Sequence, residues 1–225
     1  APEPGGQSAT AAIRATLARD LSALSQVTEI FRQSPPASTP GHYGSRVVPL
    51  PDGTIAITTG DRMRHADRAQ DPGTAYGAVI RLRPDGSVPP DTPFAGRSDV
   101  FPGLLSYGHR NPQGAAADQD GRLWTLEHGP AGGDELNLIR PGANYGWPVV
   151  SYGVNYNGAE IGDGRAAHAP DFTPPVYYWD PVIAPGGMVF YRGAMFPEWE
   201  GDILAAGLVA QAVVRLDLHD DRVIA

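Results

Sequence analysis

Glycine (28) and proline (23) together fill more than a fifth of the 225 positions, and the longest stretch without either is residues 7–34. Glycine loses the most backbone entropy on ordering, and proline lacks an N–H and clashes with the preceding turn, so both interrupt helices. This composition argues against a helical bundle or coiled coil. What remains is a chain of short strands cut by turns. Pro51-Asp52-Gly53 precedes TIAITTGD, Gln119-Asp120-Gly121 precedes RLWTLEHG, and Glu200-Gly201-Asp202 precedes ILAAGL. Each is a turn, an apolar or alternating strand, then glycine. Further turn–strand pieces lie at 78–86, 137–142, 186–193 and 212–218. Residues 9–34 are the one stretch that could pass for a helix, although Val27, Glu29 and Phe31 at its end alternate as a strand does.

The pattern predicts an all-β fold of radially arranged antiparallel sheets, with a β-sandwich as the alternative. The turns recur at intervals well above the roughly 40–45 residues of a regular propeller blade, which implies long, irregular blades. Composition narrows function from the other side. The net charge is −8, which disfavours a broad nucleic-acid surface. No apolar run approaches the ~20 residues of a membrane span. There is no cysteine, hence no disulfide, thiolate metal site or thiol nucleophile. All 17 basic residues are arginine, so no Schiff-base lysine is on offer.

Three segments concentrate chemistry. In YGHRNPQG (107–114), His109, Arg110, Asn111 and Gln113 suit a flat, oxygen-rich anion, and a solvated turn is the plainer alternative. EHGPAGGDE (127–135) offers three carboxylates and loop carbonyls to a hard cation, but without EF-hand spacing. GHYGSR (41–46) is followed by Gly60-Asp61, and His42 becomes a general base near neutral pH if Asp61 orients its ring. Tyr177-Tyr-Trp179 is an aromatic cluster for a pocket mouth or a core. No P-loop, G-x-S-x-G or H-E-x-x-H motif occurs.

Taken in order, GHYGSR, TTGDR (58–62), YGHRNPQG, EHGPAGGDELNLI (127–139), NYGWP (144–148) and YYWDPVIAPGGM (177–188) resemble the soluble PQQ-dependent aldose sugar dehydrogenases, also called glucose/sorbosone dehydrogenases. That family folds as a six-bladed β-propeller, and the resemblance covers roughly residues 25–218. It implies PQQ and Ca²⁺ as cofactors and oxidation of an aldose at C1 to its lactone. Electrons then pass to a dye or carrier protein, in the periplasm or outside the cell. It implies His42 as the general base, Asp61 as the acid that orients it, and Arg110 beside the quinone oxygen. Asn111 and Gln113 become cofactor-contacting amides. Gly129 and Pro130 supply carbonyls to Ca²⁺, Glu135 and Tyr145 lie near additional Ca²⁺ sites, and Tyr177 and Trp179 line the pocket.

The sequence also departs from the family. Val209 stands where a lysine usually pairs with PQQ, and Arg215 lies too far along its strand to replace it. An arginine pair is expected beyond Ala225 and an early blade before Ala1. Residues 1–225 are accordingly expected to form one propeller domain of about four blades, incomplete at both ends. The alternative to the dehydrogenase is a non-catalytic, calcium-stabilised propeller that binds carbohydrate or a protein partner. A propeller lactonase leaves the HRNPQG segment without a role.

Overall fold

Gly53, Gly121 and Gly201 all adopt positive φ, at +79°, +80° and +89°, in the computed structural model, which describes residues 1–164, 168 and 170–225. Each closes the turn after the first strand of a sheet. Residues 1–8 form a two-residue pair, β1 (Pro2–Glu3) and β2 (Gln7–Ser8). A long hairpin follows, β3 (Ala11–Leu17) against β4 (Leu24–Arg32). The first four-stranded antiparallel sheet comprises β5 (Val47–Pro49), β6 (Ile55–Thr58), β7 (Ala78–Leu82) and β8 (Leu104–Tyr107) in chain order. The second repeats it with β9 (Pro112–Ala117), β10 (Leu123–Glu127), β11 (Asp134–Leu138) and β12 (Tyr177–Trp179). A third has β13 (Pro185–Phe190), β14 (Ile203–Gly207) and β15 (Ala212–Leu216). The small pair β16 (Leu218–His219) and β17 (Arg222–Val223) ends the chain.

Residues 9–34 correct the helical expectation. Ile13, Leu17 and Leu21 have helical spacing, yet all three are exposed, while Ala12 and Phe31 point inward from opposite strands of the hairpin. Tertiary packing selects the strand period over the helical one.

The sheets stack face to face with a core between each pair. Ala12 and Phe31 of the hairpin pack with Ile57, Ile80, Leu82 and Leu104 of the first sheet. The opposite face of that sheet, through Val48, Ala56, Val79 and Leu105, meets Ala115, Leu123 and Ile139 of the second sheet and its margin. Trp124, Leu126, Leu136 and Leu138 then meet Met188, Ile203, Ala205 and Leu216 of the third. Alternate residues of one strand thus enter different cores, which is why the strands read as nearly continuous apolar runs. Each buried Leu or Ile contributes about 1.5–3 kcal/mol to holding neighbouring sheets together.

The first strands lie side by side, β9 flanked by β5 and β13. This is how propeller blades present their inner strands. Arg46, just before β5, reaches across all three: its Nε donates to the Gln113 carbonyl (3.1 Å) and its Nη2 to that of Gly186 (3.3 Å). The loops before β5 and β9 and after β6 and β10 therefore emerge at one end of the sheets, and that end carries the polar cluster.

Candidate functional site

His42 sits at φ +51° in the loop 41–46. The loop is held by a buried guanidinium: Arg62 donates to the carbonyls of Gly41 (3.1 Å) and Ser8 (2.8 Å), and also to that of Thr39 (2.5 Å). Burial pulls the Arg62 pKa down, partly offset by the Tyr43 and Tyr76 rings. Asp61 continues from β6, and its N–H donates to the Arg110 carbonyl (2.8 Å). Gly60 between them must be glycine. A Cβ there would stand 2.2 Å from the His42 carbonyl oxygen and 2.9 Å from Asn111 Oδ1.

His42 Nδ1 lies 2.6 Å from Asp61 Oδ1. That oxygen also accepts the Met63 N–H (2.8 Å), and Oδ2 accepts the indole N–H of Trp147 (2.8 Å). With two donors already on the carboxylate, the network assigns the Nδ1 hydrogen to His42 and leaves Nε2 with the lone pair. The Asp61 side chain is 1% exposed and that of His42 17%, so a shielded acid backs a ring that solvent can reach.

Arg110 and Asn111 arrive from the second sheet, where the β9–β10 register shifts between Leu126 and Glu127. Glu127 Oε2 accepts the Arg110 N–H (2.7 Å). Arg110 Nη1 donates to the carbonyls of His128 (3.1 Å) and Gly129 (2.8 Å). Its Nε is buried and, among the described residues, has no hydrogen-bond partner. Such an orphaned donor costs about 1–3 kcal/mol unless an acceptor from outside the chain meets it. Asn111 Oδ1 accepts the Gly44 N–H (3.1 Å), which ties the HRN segment to the His42 loop. Gln113 is half-buried beside them, its carbonyl engaged by Arg46.

His109 departs from the sequence reading. It is fully buried, bonded to Glu127 Oε1 (2.8 Å) and Ser106 Oγ (2.9 Å), and stacked on Tyr145 with centroids 4.5 Å apart. Its two nitrogens are spent inside the protein, so Arg110 and Asn111 face the site without it.

The residues expected around a cation lie close together. Around Gly129, main-chain oxygens crowd: a Cβ there would lie 2.2 Å from the Gly132 oxygen and 2.3 Å from that of Gly133. Asp134 fixes this loop by accepting the Gly129 N–H (2.9 Å) on one oxygen and those of Ile183 and Ala184 (both 2.8 Å) on the other. Burial raises the Asp134 pKa, opposed by those same N–H groups. Pro130 follows, also buried. Glu135 and Tyr145 line the same small cavity as Gly129, together with Arg110, His128 and Trp147. Burial, reinforced by the charge of Glu127, pushes Glu135 well above the usual carboxylate range. The Tyr145 hydroxyl is already engaged, donating to the Leu138 carbonyl (2.6 Å) and accepting the Arg140 N–H (2.9 Å). Among the described residues, no set of three His, Asp or Glu side chains is placed to hold a metal. A cation here would have to rest on main-chain oxygens, among which the Gly129 carbonyl already accepts Arg110 Nη1 (2.8 Å).

Tyr177 and Trp179 lie elsewhere. They occupy β12, the strand farthest from β9 in its sheet, about 14 Å from Pro112 by ordinary strand spacing. There they contact each other edge to face and line a separate groove with Tyr152 and Pro175. Tyr178, on the opposite face of the strand, is the residue that stacks on Tyr152 and through it on His168, which stands 3.6 Å from Glu135. Val209 lies in the exposed turn after β14, and Arg215 pairs with Asp202 (3.1 Å).

Antiparallel sheets that turn their inner strands side by side, with a His–carboxylate pair and an arginine whose Nε lacks an acceptor among the described residues at one end, define an all-β protein of the propeller type with a polar site at that end. The chain belongs to the glucose/sorbosone dehydrogenase family, whose profile matches residues 1–225. It is 36% identical over 219 residues to the aldose sugar dehydrogenase YliI of Escherichia coli, covering 97% of this chain and 59% of that protein. A crystal structure of a glucose dehydrogenase superposes with a TM-score of 0.94 at 38% identity, covering 100% of this chain and 65% of its own. The PQQ-bound aldose sugar dehydrogenase of Streptomyces coelicolor superposes with a TM-score of 0.73 at 30% identity, over 95% of this chain and 56% of its own. The chain thus spans less than two thirds of each of these proteins. Trp147 was the residue that sequence reasoning passed over, although the NYGWP motif contains it.

Proposed function

We propose that this chain carries the catalytic face of a PQQ- and Ca²⁺-dependent aldose dehydrogenase that oxidises the sugar at C1 to its lactone. The observation that carries the reading is the His42–Asp61 pair at 2.6 Å, interlocked with Arg110 through the Asp61 N–H. PQQ, when bound, supplies the two-electron acceptor that takes the C1 hydride. Arg110 fits its anionic oxygens, because the buried Nε lacks an acceptor within the described protein. Asn111 and Gln113, next in the same segment, would contact the cofactor, and the carbonyls of Gly129 and Pro130 would hold Ca²⁺.

His42 Nε2 takes the proton from the C1 hydroxyl as the C1–H bond breaks. Asp61 keeps Nδ1–H in place and stabilises the imidazolium that forms. Arg110 balances negative charge developing on the acceptor side, where a fixed cation needs no reorganisation. Tyr177 and Trp179, on the strand farthest from β9, are given no part in this step, and Glu135 and Tyr145, which line the same cavity as Gly129, would lie near an additional cation. We place residues 1–225 in one propeller domain, acting on a sugar outside the cytoplasm and delivering electrons to a dye or carrier protein. Among the described residues no helix is long and apolar enough to cross a membrane.

The second reading, a non-catalytic calcium-stabilised propeller that binds carbohydrate or a protein, is favoured by one feature. The chain has no lysine to pair with PQQ, and Val209 occupies that place. Titration with PQQ, with and without Ca²⁺, followed by addition of glucose, separates the two. Calcium-dependent binding and conversion to the reduced spectrum support the dehydrogenase. Absence of PQQ binding that persists in the longest native polypeptide supports the second reading.

A further inference from the structure

Trp147 touches both charged partners of the site. Its indole N–H donates to Asp61 Oδ2 (2.8 Å), 86 residues away in sequence, and its ring lies 5.3 Å from the Arg110 guanidinium carbon. An indole suits this placement, since its N–H edge is positive and its face negative. One side chain thus presents a donor to the carboxylate and a π-face to the cation.

The backbone that carries it is fixed on both sides. The Trp147 N–H donates to the Gly108 carbonyl (2.9 Å), and the Trp147 carbonyl accepts from Gln70 Nε2 (2.7 Å). Gln70 and Asn144 exchange reciprocal amide hydrogen bonds of 3.0 and 2.8 Å. Gly108 permits this approach: at φ +78°, any Cβ would lie 2.1 Å from Asn144 Oδ1. So many contacts hold the loop that the direction of the indole is set before any ligand arrives.

We propose that Trp147 is a positioning residue for the His42 base. By occupying Oδ2 it stops the Asp61 carboxylate from rotating, so that Oδ1 stays with His42 Nδ1, and it keeps the Arg110 guanidinium over its ring at a fixed distance from that pair. The inference rests on the reading of His42 as general base and adds the device that fixes it.

The test is Trp147→Phe, which keeps an aromatic face and removes the N–H. Turnover in the PQQ- and Ca²⁺-loaded protein should fall about 10- to 100-fold while the sugar KM stays within about twofold, the pattern of lost orientation. Independently of activity, the His42 Nδ1–H signal in ¹H–¹⁵N spectra should broaden through faster exchange with solvent. An unchanged kcat, or a fall in kcat with an unchanged His42 signal, overturns the proposal, because Trp147 would then fill space or act elsewhere. If Trp147→Phe does not fold, the link is read from its other end. Asp61→Ala should speed solvent exchange of the Trp147 indole N–H, and unchanged exchange overturns the proposal equally. Undiminished turnover in His42→Ala would sink the base assignment while leaving the spectroscopic link to be read on its own.

Discussion

Glu127 grips Arg110 and His109 at once: one carboxylate oxygen accepts the Arg110 main-chain N–H at 2.7 Å and the other meets the His109 ring at 2.8 Å. Asn137 Nδ2 adds a third contact at 2.9 Å. Glutamine has the same shape but turns one acceptor into a donor, which then faces an N–H or an imidazole without a partner. Glu127→Gln is expected to destabilise the fold by about 1–3 kcal/mol, the range for a buried polar group left unpaired. Urea unfolding followed by circular dichroism measures it.

His42→Ala removes the proposed base and leaves Arg110, Asn111 and the 129–133 loop in place. Turnover is expected to drop by about 10²–10⁴, the usual contribution of a positioned general base. PQQ binding in the presence of Ca²⁺, followed by absorbance, should be retained. Loss of binding together with activity would show that the ring serves the cofactor instead.

Leu126 is fully buried between the second and third sheets. Leu126→Ala removes buried methyl groups from a core whose walls are strands on both sides, so the gap cannot close easily. A loss of about 2–5 kcal/mol is expected, measured by thermal and urea denaturation.

Asp118 gives a pH signature. Burial raises its pKa, but hydrogen bonds from Trp124 Nε1 (3.0 Å) and from the N–H and Nε of Arg122 (both 2.8 Å) outweigh burial and hold it below the ordinary 3.8. A depressed folded-state pKa stabilises above the unfolded value and loses that contribution as pH falls through the folded value. The stability gap between wild type and Asp118→Asn should therefore be full at pH 6 and shrink below about 3.8. A gap that stays constant from pH 6 to pH 2 would rule the linkage out.

Much of the architecture was legible in local chemistry. The turns at Gly53, Gly121 and Gly201 need a positive φ, and their glycines announced it. The His42–Asp61 pair was also readable, because an acid so near in sequence at the end of a strand is a natural partner for a loop histidine. Other features depended on packing that no local window contains. Ile13, Leu17 and Leu21 mimic a helical stripe, and only Phe31, pairing across the hairpin with Ala12, shows which side is core. His109 reads as a ligand contact until Ser106 and Glu127 take both its nitrogens. Trp147 carried a signal in NYGWP, but its partner Asp61 lies on another sheet and could not be inferred from spacing.

Arg46 gives the arrangement a mechanical consequence. Its guanidinium grips carbonyls at the starts of the second and third sheets while its main-chain N–H is held by Thr58 Oγ1 (3.0 Å) in the first. The segment bearing His42 is therefore moored at its far end to its neighbours, and at its near end by Arg62. Swinging it aside means casting off both arginines together. The 41–46 segment is therefore expected to behave as a rigid sill around His42.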